Sequence, residues 1–574
     1  MASIIKKKVK KYTYYYLVES ARVNGNPRIV NQKYLGSAAD IAAAVDRSRG
    51  GEVPDPEYSI VLDYGAVCAL YDLAERLGVR ETINECAGKR NQGIPVGDSV
   101  LLASINRAVN PKSKNSFYAW LDKTVLHNMF PAANKKTLSS QGFWNNMSIL
   151  DSNKITEIED RLTKKVVDKY GISTECLLFD NTNFFTYMDT ANPSELSKRG
   201  NSKQKRNDLK IIGLSMMLSP DDNIPLFHEA YPGNKNDAKR FSEVIDSLKK
   251  RYMQIKKDGP EITLVFDKGN NNESNIEGLL EETPCAFHYV GGLRLSQCPD
   301  LLEIPRDKFT ALVGESFQGA TSYRTNKRMY NREATVVVTY NPQLFEAQLE
   351  GVLRDIEKCV GKLQELRANL DAWAEGAITK GKKPNIASVA KKITAILSAQ
   401  HMMEIFKFDV SSYKDGSSPS FSFYIDEGRL NDIKDKVLGK SILFTDHLDW
   451  ADEKIVATYR SQYHIEDCFR QMKDTKHLSF RPVFHWTDKM IRVHVFYCVL
   501  SLMLCNVLNK EIKAIGHKMS VNAMIETLAE VQQVITVFPR AGNKQTSKSS
   551  FSRLDGIAKK IIESYDLTKY KVRL

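Results

Sequence analysis

Residues Tyr459–Lys473 read YRSQYHIEDCFRQMK, and the spacing of Tyr459, Glu466 and Lys473 governs how the chain is read. Seven residues make nearly two turns of α-helix, so the three side chains fall within a stripe about 40° wide. Ile465, Cys468 and Met472 form an apolar flank beside that stripe, and Gln462 and Arg470 lie near it. A helix patterned this way buries one flank and holds a carboxylate between an aromatic hydroxyl and an ammonium along the next. A solvated amphipathic helix carries the same pattern, so the rest of the chain has to discriminate.

Two other segments do so. TECLLFD (174–180) and EITLVFD (261–267) are short apolar runs that each end in Phe-Asp. Around them lie IIGLSMMLS (211–219), a turn at 220–223, PLFHEAY (225–231), and a helix over 236–252 with Phe241, Val244, Ile245 and Leu248 on one face. SNIEGLLEE and FHYVGGLRL then read as a helix and a strand, and KSILFTD (440–446) returns to core character just before the quoted segment. Three strands, helix, strand, helix, strand predicts an α/β fold, a mixed sheet with helices against it. Aspartates at strand ends stand where a rigid sheet presents groups to variable loops. Asp180, Asp267 and Glu466 together offer the carboxylate oxygens that hard cations such as Mg²⁺ require.

Composition bounds the alternatives. The chain has 574 residues, a net charge of +13, and ordinary apolar (42%) and charged (26%) fractions. That length predicts several domains, and the charge predicts a polyanionic partner. Nine cysteines are scattered without a C-x-x-C pair, as expected of reduced thiols in a cytosol, and they offer no zinc site. The longest apolar run, Val495–Leu508, is shorter than the roughly 20 residues that cross a bilayer and is expected to be a core helix. MASIIKKKVKKYTYYY lacks the apolar stretch of a signal peptide. LGKS (438–441) is not a phosphate loop, because Lys434 stands where the first glycine would be. His485 and His494 are read as packing residues rather than metal ligands.

At this point the chain resembles a family, the bacterial insertion-sequence transposases of the DDE type, whose catalytic core is RNase H-like. Their glutamate helix carries Y-x2-R-x3-E-x6-K; here Tyr459, Glu466 and Lys473 match and Gln462 holds the arginine position. LLFDNTNFF is similar to the family's first-aspartate strand and LVFDKGNNNESN to its second. The 199 residues separating Asp267 from Glu466 match a group with a β-rich insertion there. The resemblance implies that Asp180, Asp267 and Glu466 are catalytic and hold two Mg²⁺ ions, with Mn²⁺ as a substitute. It further implies double-stranded DNA partners (terminal inverted repeats and target), a homodimer in a synaptic complex, no membrane, and a cytoplasmic, nucleoid-associated location. Tyr459, Gln462, Arg470 and Lys473 are expected to contact DNA, Arg470 partly replacing the missing arginine.

The expected organisation is a small β-rich unit with a basic arm (1–60) and a helical DNA-binding block (61–150). The RNase H-like core follows in two parts (151–320 and 446–515) around an insertion (321–445), and a tail (516–574) begins near a polar linker, AGNKQTSKSSFSR. Asn24-Gly25-Asn26-Pro27 reads as a hairpin turn in the first unit. End recognition is expected within 1–150, through Lys6 to Lys11 and the segment where Lys112 and Lys114 stand beside Phe117, Tyr118 and Trp120. Lys203 and Arg206, in the basic run 198–206, are further expected DNA contacts. Two other readings stay open: a transposase-derived DNA-binding protein without catalysis, and a structure-specific nuclease on the same fold.

Overall fold

The structure, a computed structural model, describes residues 2–23, 26–49, 55–88, 93–189, 191–255, 262–282, 285–412, 419–541 and 544–573. β1 (Ala2–Val9), β2 (Tyr12–Val23) and β3 (Asn26–Gly36) form an antiparallel sheet followed by the helix Ala38–Arg49. Asn24 and Gly25 of the expected turn lie outside the described residues. β4 (Tyr58–Asp63) then leaves this unit for a partner at the far end of the chain.

A nine-stranded mixed sheet organises the centre. β5 (Cys176–Phe185) is flanked on one side by antiparallel β6 (Ile211–Ser219), and β7 (Ile224–Pro232) lies beyond it. On the other side β8 (Thr263–Phe266) and β9 (His288–Leu293) run parallel to it. In the order β7-β6-β5-β8-β9 only β6 is reversed against its neighbours on both sides, which makes the sheet mixed as expected. The sheet continues beyond β9. β10 (Thr310–Ala311), β11 (Thr321–Met329) and β12 (Arg332–Tyr340) extend it, with the second hydrophobic unit spliced in before β15 (Lys440–Thr445) closes against β9. The expected boundary at 321 thus falls inside one continuous sheet.

The spliced unit has its own core. The 33-residue helix Pro342–Ala374, the helix Ile386–Ile396, and the hairpin of β13 (Phe406–Ser412) and β14 (Pro419–Ile425) pack around Leu363, Ile393, Ile405 and Phe406. The helices between Gly65 and Tyr170, the helix Asp237–Ile255 and those from Asp452 onward share the core of the main sheet. Among them Asp488–Ala514 contains the long apolar run and is buried, lying against β7 and the helix Val96–Val109.

Two local expectations are corrected. Lys544–Phe551, expected as a polar linker, is a strand, β17, paired with β16 (Gln532–Ala541), which pairs with β4. Its Lys, Thr and Ser residues give no alternating pattern because β17 is an edge strand. Residues beyond it return to the helical block: Tyr64 donates to the Leu567 carbonyl at 2.5 Å and Tyr570 to Asp72 at 2.9 Å. The second correction concerns Tyr459–Lys473, which is not one helix. The helix Asp452–Arg460 ends, the Gln462 and His464 N–H groups tighten into i→i−3 bonds to Tyr459 and Ser461, and Tyr463–Lys473 starts anew. Both junction residues keep αR angles, so the seven-residue spacing survives the break in approximate form.

Candidate active site

The register of two parallel strands sets up the site. Phe179 on β5 pairs with Phe266 on β8, so Asp180 and Asp267 follow at the same level, one strand spacing (about 4.8 Å) apart. β5 runs on to Phe185, so Asp180 lies in mid-strand rather than at a strand end, although its parallel pairing with β8 stops beside it. The two phenylalanines pack against Phe241 of the helix Asp237–Ile255, with ring centroids 4.9 and 5.2 Å apart. Strand alternation turns the residues after them toward the other face.

On that face stand the two helices from the quoted segment. The Tyr459 hydroxyl donates to Asp267 Oδ1 at 3.3 Å. Burial, and then the charges of Asp267, Glu466 and Asp180, push its pKa well up, so it stays a proton donor. One aromatic hydroxyl is therefore within electrostatic reach of all three carboxylates. Glu466, in the first turn of Tyr463–Lys473, is exposed, while Asp180 and Asp267 are half-buried. All the donors are carboxylate or phenol oxygens, a set that suits Mg²⁺ or Mn²⁺. Their oxygens do not close into a trio within 4.8 Å.

Gly292 on β9 makes room for Tyr459. A Cβ at this position would lie 2.3 Å from the Tyr459 hydroxyl. Gly292→Ala is therefore expected to push the phenol off Asp267, lowering any metal-dependent cleavage by about tenfold or more while duplex binding stays within a few-fold. Parent-like single-turnover rates in this variant would show that the Tyr459–Asp267 contact does not matter.

The signature residues divide. Lys473 donates to Thr182 Oγ1 at 2.6 Å, and Lys203 to the Asn181 carbonyl at 2.5 Å, so two ammonium groups border β5 just past Asp180. Burial and then Lys203 lower the Lys473 pKa to about 8, against the pull of Asp180. Its charge is present below that pH and fades as pH rises through it, whereas a bound phosphate favours the charged form. Duplex affinity measured in chelator is expected to fall from pH 7 to 9 in the parent and to change less in Lys473→Gln. Parallel curves would remove Lys473 from the DNA contact.

Gln462 does not lie where a phosphate could reach it. It is 6% exposed and donates to the Phe179 carbonyl at 3.4 Å, tying the helix junction to β5. Arg470 faces solvent and pairs with Asp467, not with the carboxylate site. Arg206 pairs with Asp208 at 2.7 Å and covers the Phe185 ring, in a loop fastened to β5 through Asn183. Lys112 is exposed, but Lys114 is half-buried, and burial lowers its pKa. Phe117 and Trp120 are stacked inside the core and Tyr118 is half-buried, so the two largest apolar faces of this segment are withheld from nucleic acid. The basic–aromatic pattern there records a helix that buries its rings and leaves a lysine outside.

The histidines beyond the glutamate helix are packing residues. His494 Nε2 bonds the Phe480 carbonyl at 2.6 Å, and burial pushes the pKa of His485 down to about 3. A different cluster has no signal in the sequence. Among the described residues, the only trio of His, Cys, Asp or Glu ligand atoms within 4.8 Å is His288, Asp446 and His447. It lies at the other end of β8 and β9 from Asp267. His288 bonds Asp446 at 2.7 Å and His447 bonds Thr263 at 2.8 Å, while the two imidazoles stack at 4.5 Å and 27°. Stacked rings point their lone pairs along nearly parallel planes that do not converge on an ion, so the cluster is a hydrogen-bonded staple between β8, β9 and the end of β15.

No protein-family model matches the chain, and no curated protein does. Among solved structures it is similar to a piggyBac transposase synaptic complex with hairpin DNA, at 10% identity over 82% of this chain and 80% of that one, with a TM-score of 0.37. It is also similar to a Mos1 transposase paired-end complex with the left transposon end, at 14% identity over 44% and 72%, with a TM-score of 0.14. Scores this low leave the functional reading to the residues themselves.

Proposed function

We propose that the chain is a DDE-type DNA transposase whose catalytic residues are Asp180, Asp267 and Glu466. The observation that carries this reading is the Phe179–Phe266 register, which sets two aspartates level on adjacent parallel strands beneath the Tyr459–Lys473 segment. The three carboxylates would hold two Mg²⁺ or Mn²⁺ ions, which when bound supply an activated oxygen nucleophile and a charge partner for the leaving oxygen. Tyr459 keeps its proton and orients Asp267. Lys473 and Lys203 hold a phosphate beside Asp180 by charge. Buried Gln462 fixes the helix junction on β5, so Glu466 is carried by a rigid element.

The chemistry has two balanced steps. Water attacks the scissile phosphorus and loses a proton, the P–O3′ bond breaks, and the departing 3′ oxygen takes up a proton to become a hydroxyl. That 3′-hydroxyl then attacks a phosphorus of target DNA, forming a new phosphodiester as the target's own 3′ oxygen leaves. The partners are terminal inverted repeats and target duplex, bridged by a homodimer in the bacterial cytosol. The test is to incubate the purified chain with a labelled duplex carrying the element end, a supercoiled target and Mg²⁺, and to size the products. Cleaved ends joined to target support a transposase. Cleavage without joining gives the nuclease reading, and binding without cleavage gives the inactive derivative.

A further inference from the structure

One face of the amino-terminal sheet is open and basic, and the carboxylate site makes no use of it. Residues 1–49 carry ten Lys and Arg against three Asp and Glu, so +7 of the net +13 lies in less than a tenth of the chain.

The register sorts the side chains onto two faces. Ile5 and Lys7 of β1 align with Tyr16 and Tyr14 of β2, and Tyr16 and Val18 align with Tyr34 and Gln32 of β3. This face is engaged with itself. The Tyr16 and Tyr34 rings lie 5.2 Å apart, Lys7 Nζ sits over Tyr16 and donates to Gln32 at 2.9 Å, and Val18 is 2% exposed. The opposite face carries Lys6 and Lys8 on β1, Thr13 on β2, and Arg28, Asn31 and Lys33 on β3, all exposed. Its single carboxylate, Glu19, accepts from Asn31 at 3.5 Å.

The outer strands β1 and β3 lie two strand spacings apart, about 10 Å. The major groove of B-DNA is about 12 Å wide and admits a two-stranded β-ribbon, so a three-stranded face would sit with its outer strands at the groove walls. We propose that this face enters the major groove of duplex DNA, with Lys6, Lys8, Arg28 and Lys33 on the bordering phosphates and Thr13 and Asn31 at base edges. The inference rests on the reading of the chain as a protein that acts on DNA, and it assigns end recognition to β1–β3 rather than to the helical block, where Phe117 and Trp120 are buried.

The test uses the full chain, a 30-bp random duplex as probe (a length of about three helical turns), and chelator in place of divalent metal, so that binding is read without cleavage. Lys6→Ala/Lys8→Ala is expected to reduce the slope of log affinity against log salt by about two and to weaken binding about tenfold. Lys7→Ala, between them on the other face, should leave the slope at the parent value. Thr13→Ala/Asn31→Ala should keep the slope and change the sequences recovered from a randomised duplex pool. An unchanged slope in Lys6→Ala/Lys8→Ala, an equal loss in Lys7→Ala, or equal binding of duplex RNA, whose deep major groove excludes a sheet, overturns the proposal. A chain that binds through this face yet never cleaves overturns only the transposase reading.

Discussion

Asp180→Asn, Asp267→Asn and Glu466→Gln are each expected to reduce metal-dependent cleavage by on the order of a thousandfold or more, with duplex binding kept within a few-fold. Each change removes a charge and almost no volume. The register of β5 on β8 and the Tyr459 bond to Asp267 put two of these groups in one place from independent elements. Glu466 is exposed, so its replacement should cost no fold stability. Equal melting temperatures across the three variants, beside lost cleavage, would separate a chemical role from a structural one. Near-parent cleavage by any single variant would strike that residue from the catalytic set. Removing divalent metal from the parent should have the same effect as the substitutions, reversed by adding Mg²⁺ or Mn²⁺.

Arg251→Met is expected to destabilise the fold by about 3–5 kcal/mol, the cost of leaving a buried charge without its partner. Glu159 is buried at the β7 edge of the sheet, with Arg251 Nη2 at 2.8 Å and His228 Nδ1 at 2.6 Å. Burial alone would raise the Glu159 pKa; Arg251 and His228 outweigh it and hold the carboxyl below its ordinary value. A lowered folded-state pKa means that this contribution is present above the unfolded carboxylate pKa and is lost as pH falls through the folded one. Acid should therefore unfold the parent more steeply than Glu159→Gln. The double variant Arg251→Met/Glu159→Gln should recover part of the loss, because it removes the orphaned charge as well. Denaturant midpoints measured at neutral and acid pH check both statements, and a parent-like midpoint for Arg251→Met would show that the cluster is solvated.

Neighbours along the chain are enough to specify several parts of the molecule. Short apolar runs ending in Phe-Asp mark β5 and β8 because a strand buried on both faces needs continuous apolar side chains. The 14-residue run from Val495 likewise reads as core, and it is buried. Tyr459, Glu466 and Lys473 share a stripe because helical periodicity is local. Whatever depends on a distant partner needs the assembled fold. The break at Ser461–Gln462 is invisible in the sequence, because Gln462 is held by the Phe179 carbonyl, 283 residues earlier. Lys544–Phe551 looks like a linker until β16, itself paired with β4, supplies the hydrogen bonds that its own side chains do not announce. Phe117 and Trp120 read equally as a nucleic-acid surface or a core, and only packing against Phe143 and the buried helices selects the core. His288 and Asp446, 158 residues apart, meet because β15 closes antiparallel on β9. Periodicity along a chain reports which side chains must avoid water, but the register between strands, and with it the meeting of Asp180 with Asp267, is set by pairing energies that only the assembled sheet contains.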